Sequence, residues 1–221
     1  MLKAPNDRRA VRTKRMIRNA LSELIEEKGY NNISITDLTT RADINRGTFY
    51  LHYTDKYDLV EQVENEVIAE VFAEVKSAGT IDVQSAVFIS NLDTTDAIMP
   101  FMIKIFEYLR ENSKFVRAIL GPKGDPEFQL KIKKLIETSL FERNPIKIFN
   151  EKAMQIPREY FLSYVFSAHL GVIQQWLSSG MDKSPEEMTQ ILSKMFLLGP
   201  FKVSGIKQAA VKDSKTLPSD I

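Results

Sequence analysis

The apolar positions Ile17, Ala20, Leu21, Leu24 and Ile25 recur at helical spacing, which predicts a first helix from about Arg9 to Lys28 with Gly29 as its C-terminal cap. Two short helices follow. Ser34 with Asp37 reads as a capping box and Ile33 with Leu38 as the hydrophobic staple around it; Asn45 is a second N-cap, flanked by the staple pair Ile44 and Phe49. Asp55 starts a fourth helix that runs to about Lys76, with Leu59, Val60, Val63, Val67, Val71 and Val75 on its buried side. A domain boundary is expected near Gly79. Beyond it, helices are predicted from Pro100 to Leu109 and from Phe115 to Leu120, then an amphipathic helix from Phe128 to Phe141. Pro145 and Pro157 bracket a segment that carries no clear periodicity. Tyr160 to Leu177 is apolar nearly all round, so it must be covered on more than one side, by its own domain or by a second copy. Ser184-Pro185-Glu186-Glu187 opens the last helix, whose stripe is Met188, Ile191, Leu192, Met195 and Phe196; from Phe201 onward the chain reads as a polar tail. The fold class is therefore all-α.

The connection Ala42-Asp43-Ile44-Asn45 has the length used in a helix-turn-helix, where the second helix lies in the major groove and the first crosses the backbone. Charge agrees with that reading. The chain as a whole carries +1, yet Lys3, Arg8, Arg9, Arg12, Lys14, Arg15 and Arg18 against Asp7 leave +6 on the first eighteen residues. A basic arm ahead of such a motif can lie along phosphates.

Chemistry of other kinds finds little to work with. There are no cysteines, which removes disulfides and thiolate metal sites and fits a reducing cytoplasm. No apolar run is long enough to span a bilayer, and no apolar segment follows the basic N-terminus as a secretory signal requires. The glycines of Gly121-Pro122-Lys123-Gly124-Asp125-Pro126 lack the Gly-Lys-Ser/Thr ending of a phosphate loop and read as a turn. His52 and His169 stand far apart in the chain and make no metal site; His169 lies in the apolar helix as a satisfied core residue. No nucleophile with a base emerges, so neither a catalytic site nor a cofactor is expected.

In the second motif helix Arg46 is the natural base reader, because its planar fork matches O6 and N7 of guanine. Gly47 allows close backbone approach, Thr48 offers a hydroxyl and a methyl, and Thr36 is a candidate phosphate donor on the first motif helix. Tyr50 has a second reading as packing against the first helix.

The run Ala42-Asp43-Ile44, Arg46-Gly47-Thr48-Phe49-Tyr50, His52-Tyr53, and Lys56 with Leu59 resembles the N-terminal domain of TetR-family transcriptional regulators, within a wider likeness from about Arg12 to Val67. Asp43 stands where the family usually has Gly; Asp tolerates a left-handed turn better than most side chains. The resemblance implies that Tyr50 and His52 meet the DNA backbone and that Lys56 contacts a phosphate. It also implies that the last two helices build a four-helix homodimer interface, so that two heads read a palindromic operator. The expected architecture is a head at 8–76 with its motif at about 34–53, then a helical effector-binding and dimerisation domain at 80–200, then the tail at 201–221. Phe101, Phe106, Tyr108, Phe128, Tyr160, Tyr164 and Trp176 are candidates to line a small-molecule effector cavity, or alternatively plain core. The expected function is a repressor released by its effector; the alternative is a DNA-bound activator or co-regulator that recruits a protein through its C-terminal domain.

Overall fold

The computed structural model describes residues 5–77, 95–138 and 151–205. Among them nine α-helices occur and no strand. Helix α1 (Pro5–Lys28) starts four residues before the expected Arg9, because nothing between Pro5 and Gly29 breaks a helix and proline fits a first turn. Arg8, expected just ahead of the helix, therefore stands on it with Arg9, Arg12, Lys14, Arg15 and Arg18. Gly29 ends α1 at φ 82°, and a 3-10 turn, Tyr30–Asn32, leads to α2 (Ile35–Arg41).

Both short helices are fixed at their N-termini as the sequence predicts. Ser34 accepts from the Asp37 N–H while the Asp37 carboxylate accepts from the Ser34 N–H, a complete capping box. For α3 (Arg46–Tyr50) the Asn45 side chain accepts from the Thr48 N–H at 2.7 Å. Between them Asp43 takes the left-handed conformation, φ 52°. The Asp43 N–H bonds the Thr40 carbonyl at 3.2 Å and Ile44 bonds that of Thr39 at 3.0 Å, so α2's last carbonyls are satisfied. Helix α4 (Lys56–Ser77) is capped by Asp55, which accepts from the Asp58 N–H at 2.8 Å. Val71 is only partly buried, and the side chain of Val75 lies outside the described residues, as does the boundary expected near Gly79.

The second half comprises α5 (Thr95–Glu111), α6 (Ser113–Leu120), α7 (Pro126–Glu137), α8 (Arg158–Ser178) and α9 (Pro185–Val203). Pro100 does not open α5 but lies inside it, five residues past its start; a proline one turn further in leaves the same sequence signal as one in the first turn. Asp125 and Pro126 start α7 two residues before the expected Phe128; the described helix ends at Glu137, so Phe141 and residues 145–150 of the proline-bracketed segment lie outside the described residues, and a 3-10 turn, Glu151–Ala153, opens its described remainder. Gly199, at φ 70° and ψ 168°, breaks α9, and the turn from Pro200 to Val203 carries helical structure past the expected end at Phe201; the rest of the tail, from residue 206, lies outside the described residues.

One core runs through both halves, from Ile17, Leu21 and Ile25 of α1 through Leu38, Phe49 and Leu59 to Phe106, Ile119, Trp176 and Leu192. Helix α5 lies between α4 and α9, and α1 lies along α6. Phe106 meets Trp176 edge to face at 5.2 Å between ring centres, an aromatic geometry that holds α5 to α8. The Trp176 Nε1–H donates to the Lys183 carbonyl at 3.0 Å, closing the α8–α9 turn.

Candidate nucleic-acid interface

The polar second motif helix projects to solvent. Phe49 is fully buried beneath it, edge-on to Tyr50 at 5.6 Å, while Arg46 and Gly47 are exposed and Tyr50 is 49% exposed. Arg46 Nη2 lies 3.4 Å from the Tyr50 hydroxyl, one helical turn away, so the guanidinium and the phenol share one outward face. The ring of Tyr50 thus rests on Phe49 of its own helix rather than on the first helix, and its hydroxyl stays outside. At Gly47 an added Cβ would come within 3.2 Å of the Asn45 Oδ1, so this helix start is drawn close to its cap. Thr48 is half-buried and its hydroxyl donates to Asn45 Oδ1 at 3.1 Å, which commits the proton expected for DNA and leaves the oxygen's lone pairs and the methyl.

Thr36 is exposed on the first turn of α2, and His52 is half-buried beside the Tyr53 ring at 6.2 Å. Tyr53 itself is core, and burial pushes its hydroxyl pKa up to about 12. Lys56 stands at the start of α4, half-buried, with partners inside the chain. Its Nζ donates to the Tyr30 and Asn31 carbonyls at 3.2 and 3.3 Å and lies over the Tyr30 ring at 4.8 Å, and burial lowers its pKa. Leu51, which sequence reasoning passed over, is 81% exposed as the C-cap of α3; its place directly after Tyr50 at the end of a five-residue helix was the available signal.

Along α1, Arg8, Arg9, Arg12 and Arg15 are exposed and take part in no ion pair among the described residues. Lys14 and Arg18 are already committed within the chain. Lys14 pairs with Glu66 at 3.3 Å; Arg18 reaches Glu70 at 4.0 Å, Asn112 at 3.4 Å and the Phe115 ring at 4.8 Å. These pairs dock α1 on α4 and α6.

An exposed helix-turn-helix with a basic flank is matched over residues 17–63 by the profile of the bacterial regulatory proteins of the tetR family, and residues 96–197 match that of a transcriptional regulator C-terminal region. The chain belongs to the TetR family of transcriptional regulators. Members bind DNA and act as dimers. Two uncharacterized HTH-type transcriptional regulators of Bacillus subtilis strain 168 are similar at the head: YxbF, 38% identical over 66 residues, and YvdT, 32% identical over 60. The matched stretches are 29% and 27% of this chain and span only 17% and 31% of those relatives. Among solved structures, the fatty acid degradation regulator FadR of Bacillus halodurans covers 90% of this chain and 98% of its own at TM-score 0.59 and 16% identity. A TetR transcriptional regulator of Streptococcus agalactiae 2603V covers 86% and 96% at TM-score 0.57 and 20% identity. At these identities the likeness is one of fold.

The expected effector-cavity residues of this TetR-family chain do not converge. Phe106, Tyr108, Phe128 and Trp176 are buried, whereas Tyr160 and Tyr164 are 68% and 57% exposed on the outer face of α8; the side chain of Phe101 lies outside the described residues. The Tyr108 hydroxyl donates to Glu70 at 2.6 Å, and burial with that carboxylate raises its pKa well above the usual range. Helical spacing could not separate the faces of α8, because both are apolar. His169 is satisfied as expected, its Nδ1 2.7 Å from the Val165 carbonyl, but it is half-buried rather than core.

Proposed function

We propose that this TetR-family regulator is a homodimeric repressor that holds a palindromic operator with its two α3 helices and is released when a small molecule binds the helical domain. The observation that carries the dimer is an uncovered apolar stripe. Tyr160, Tyr164 and Gly171 on α8 and Ile191, Phe196, Leu198 and Phe201 on α9 are exposed in the single chain, and large apolar side chains left to water on two successive helices suit an interaction surface. A second copy placed on that stripe binds two heads to one duplex, and the two weak contacts combine.

In each head Arg46 reads a guanine, Tyr50, His52 and Thr36 fix the backbone, and Gly47 and the Thr48 methyl allow close approach. Arg8, Arg9, Arg12 and Arg15 extend the phosphate contact along α1. Release requires an effector that prefers the arrangement in which the heads do not fit one face of the DNA, since only differential affinity moves the population.

The test starts with genomic fragments captured by the purified protein, which supply the operator. Arg46→Ala then costs about 1 to 3 kcal/mol at one base pair per half-site and relaxes the choice of base there. A uniform loss across all sequences removes Arg46 from base reading. Transcription from the captured promoter falls when the protein is added; a rise establishes the activator instead.

A further inference from the structure

We propose that Leu51 reads the operator by apolar contact, seating its side chain against the C5-methyl of a thymine in the major groove. The inference deepens the reading that α3 enters that groove, and rests on it. Leu51 directly follows α3 as its C-cap, with helical dihedrals (φ −72°, ψ −19°), and its N–H donates to the Gly47 carbonyl at 3.2 Å. Its side chain therefore keeps the register of the recognition helix, one turn beyond Gly47 and about 200° round from the buried Phe49.

Leu51 is the most exposed of the large apolar side chains among the described residues, ahead even of those on the outer stripe of α8 and α9. The outward surface of the recognition helix has two sides. On one, Arg46 and Tyr50 hold a guanidinium and a phenol together, both able to hydrogen-bond base edges or phosphates. On the other, Leu51 follows Gly47, which has no side chain to fill the space before it. Beyond the chain neighbours of Gly47, a Cβ there would meet only the Asn45 Oδ1, so a base can come close beside the leucine.

A leucine has no donor or acceptor, so in the groove it cannot answer a phosphate, a guanine O6 or an adenine N6. Covering one of those would strip its water and return no hydrogen bond. The thymine methyl is the one methyl group that the base pairs present in the major groove. When leucine and methyl meet, both leave water, and the contact separates thymine from cytosine, which carries only hydrogen at the same carbon. Arg46 and Leu51 thus divide the half-site between them, the first taking a guanine by hydrogen bonds and the second a thymine by apolar contact.

The experiment uses the operator recovered by genomic capture, and duplexes in which each thymine of both half-sites is replaced in turn by deoxyuridine, which lacks only the methyl. Full-length wild type, Leu51→Ala, Leu51→Met and Arg46→Ala are compared by fluorescence anisotropy. One replacement is expected to weaken wild-type binding about tenfold, the product of about fourfold in each half-site. Leu51→Ala is expected to lose a similar factor on the natural operator and to be indifferent to that same replacement, whereas Leu51→Met, still apolar, keeps the dependence. If every replacement affects Leu51→Ala as much as the wild type, no methyl is read by Leu51 and the proposal is overturned. Leu51→Ala weakening operator and random duplex alike marks a contact with the sugar-phosphate backbone and overturns it too, as does unchanged operator affinity. Arg46→Ala separates this inference from the reading beneath it. If neither Arg46→Ala nor Leu51→Ala alters the choice of base, α3 does not lie in the groove; if Arg46→Ala relaxes that choice and Leu51→Ala shows no coupling to a methyl, only the role of Leu51 falls.

Discussion

In the head, α1, α2, α3 and the start of α4 turn their apolar side chains onto one another, leaving Ile17, Leu38, Phe49 and Leu59 fully buried. At the other end of the chain, α8 and α9 touch each other little and carry an apolar stripe outward, from Tyr160 at 68% to Phe201 at 76% exposure. A small unit built on two caps and two staples closes its own core. Two long helices with apolar residues on more than one face cannot do so alone and need a further surface. The head is therefore a finished object that presents polar groups, and the last two helices are an unfinished one that presents apolar groups.

The sharpest way to break that contrast is Gly171→Arg. Gly171 is exposed in the middle of α8, and a Cβ added there meets nothing within 4 Å in the single chain. The substitution therefore leaves the isolated fold intact, and replacing glycine inside a helix even favours it by up to about 1 kcal/mol. Against a second copy the same side chain obstructs close helix approach. Sedimentation is expected to show a monomer, and operator affinity is expected to fall by about 10²- to 10⁴-fold, the gain that linking two heads supplies. A dimer that persists with full affinity places the interface elsewhere.

Phe49→Ala tests the other side. A fully buried phenylalanine replaced by alanine costs about 3 to 5 kcal/mol. Because the head's core is continuous with Phe106 and Trp176 through α1, α4 and α6, the loss is expected to lower one shared unfolding transition in chemical denaturation. If instead the head melts first while the α5–α9 signal keeps its midpoint, the two halves are energetically separate despite that contact.

This contrast also decides what could be read from the sequence. Ser34, Asp37, Asn45 and Asp43 fixed the head in advance because each acts within four residues of itself, through a cap or a left-handed turn. Arg46 and Tyr50 were legible as a polar face for the same reason. The partners that Lys56 has within the chain were not, because Tyr30 and Asn31 stand more than twenty residues away and offer backbone carbonyls, which have no sequence signature. The aromatic set scattered for a related reason: Tyr164 and Trp176 both lie on an apolar helix, and only the packing of neighbouring helices against it, with Phe106 of α5 on Trp176, puts Trp176 inside and Tyr164 outside.

The smallest expected effect separates the head from the junction by the sign of their response to acid. In the head the Lys28 ammonium, with Ser34, holds the Asp37 carboxyl far below the usual carboxylate range, and Glu23 and Glu27 are lowered by Lys114 and Arg41. Groups of this kind contribute stability above their ordinary pKa that is lost as the pH falls through the folded value. Glu64 on α4 behaves the opposite way. It is 6% exposed, its Oε2 lies 3.4 Å from Lys131 of α7, and its Oε1 has no partner among the described residues. Burial raises its pKa, with the Lys131 ammonium pulling it partly back and the Asp125 and Glu61 carboxylates adding to the rise. The folded chain therefore holds the Glu64 proton more tightly than the unfolded chain does, and acidification from neutral pH down towards the ordinary carboxylate pKa stabilises the fold at this one site. Glu64→Gln keeps the shape and removes the titration. Denaturation at a series of pH values is expected to show the wild type gaining stability relative to this variant as pH falls through that window. A difference that stays constant, or grows with rising pH, would mean that Lys131 compensates the buried charge fully and that the junction is as well satisfied as the head.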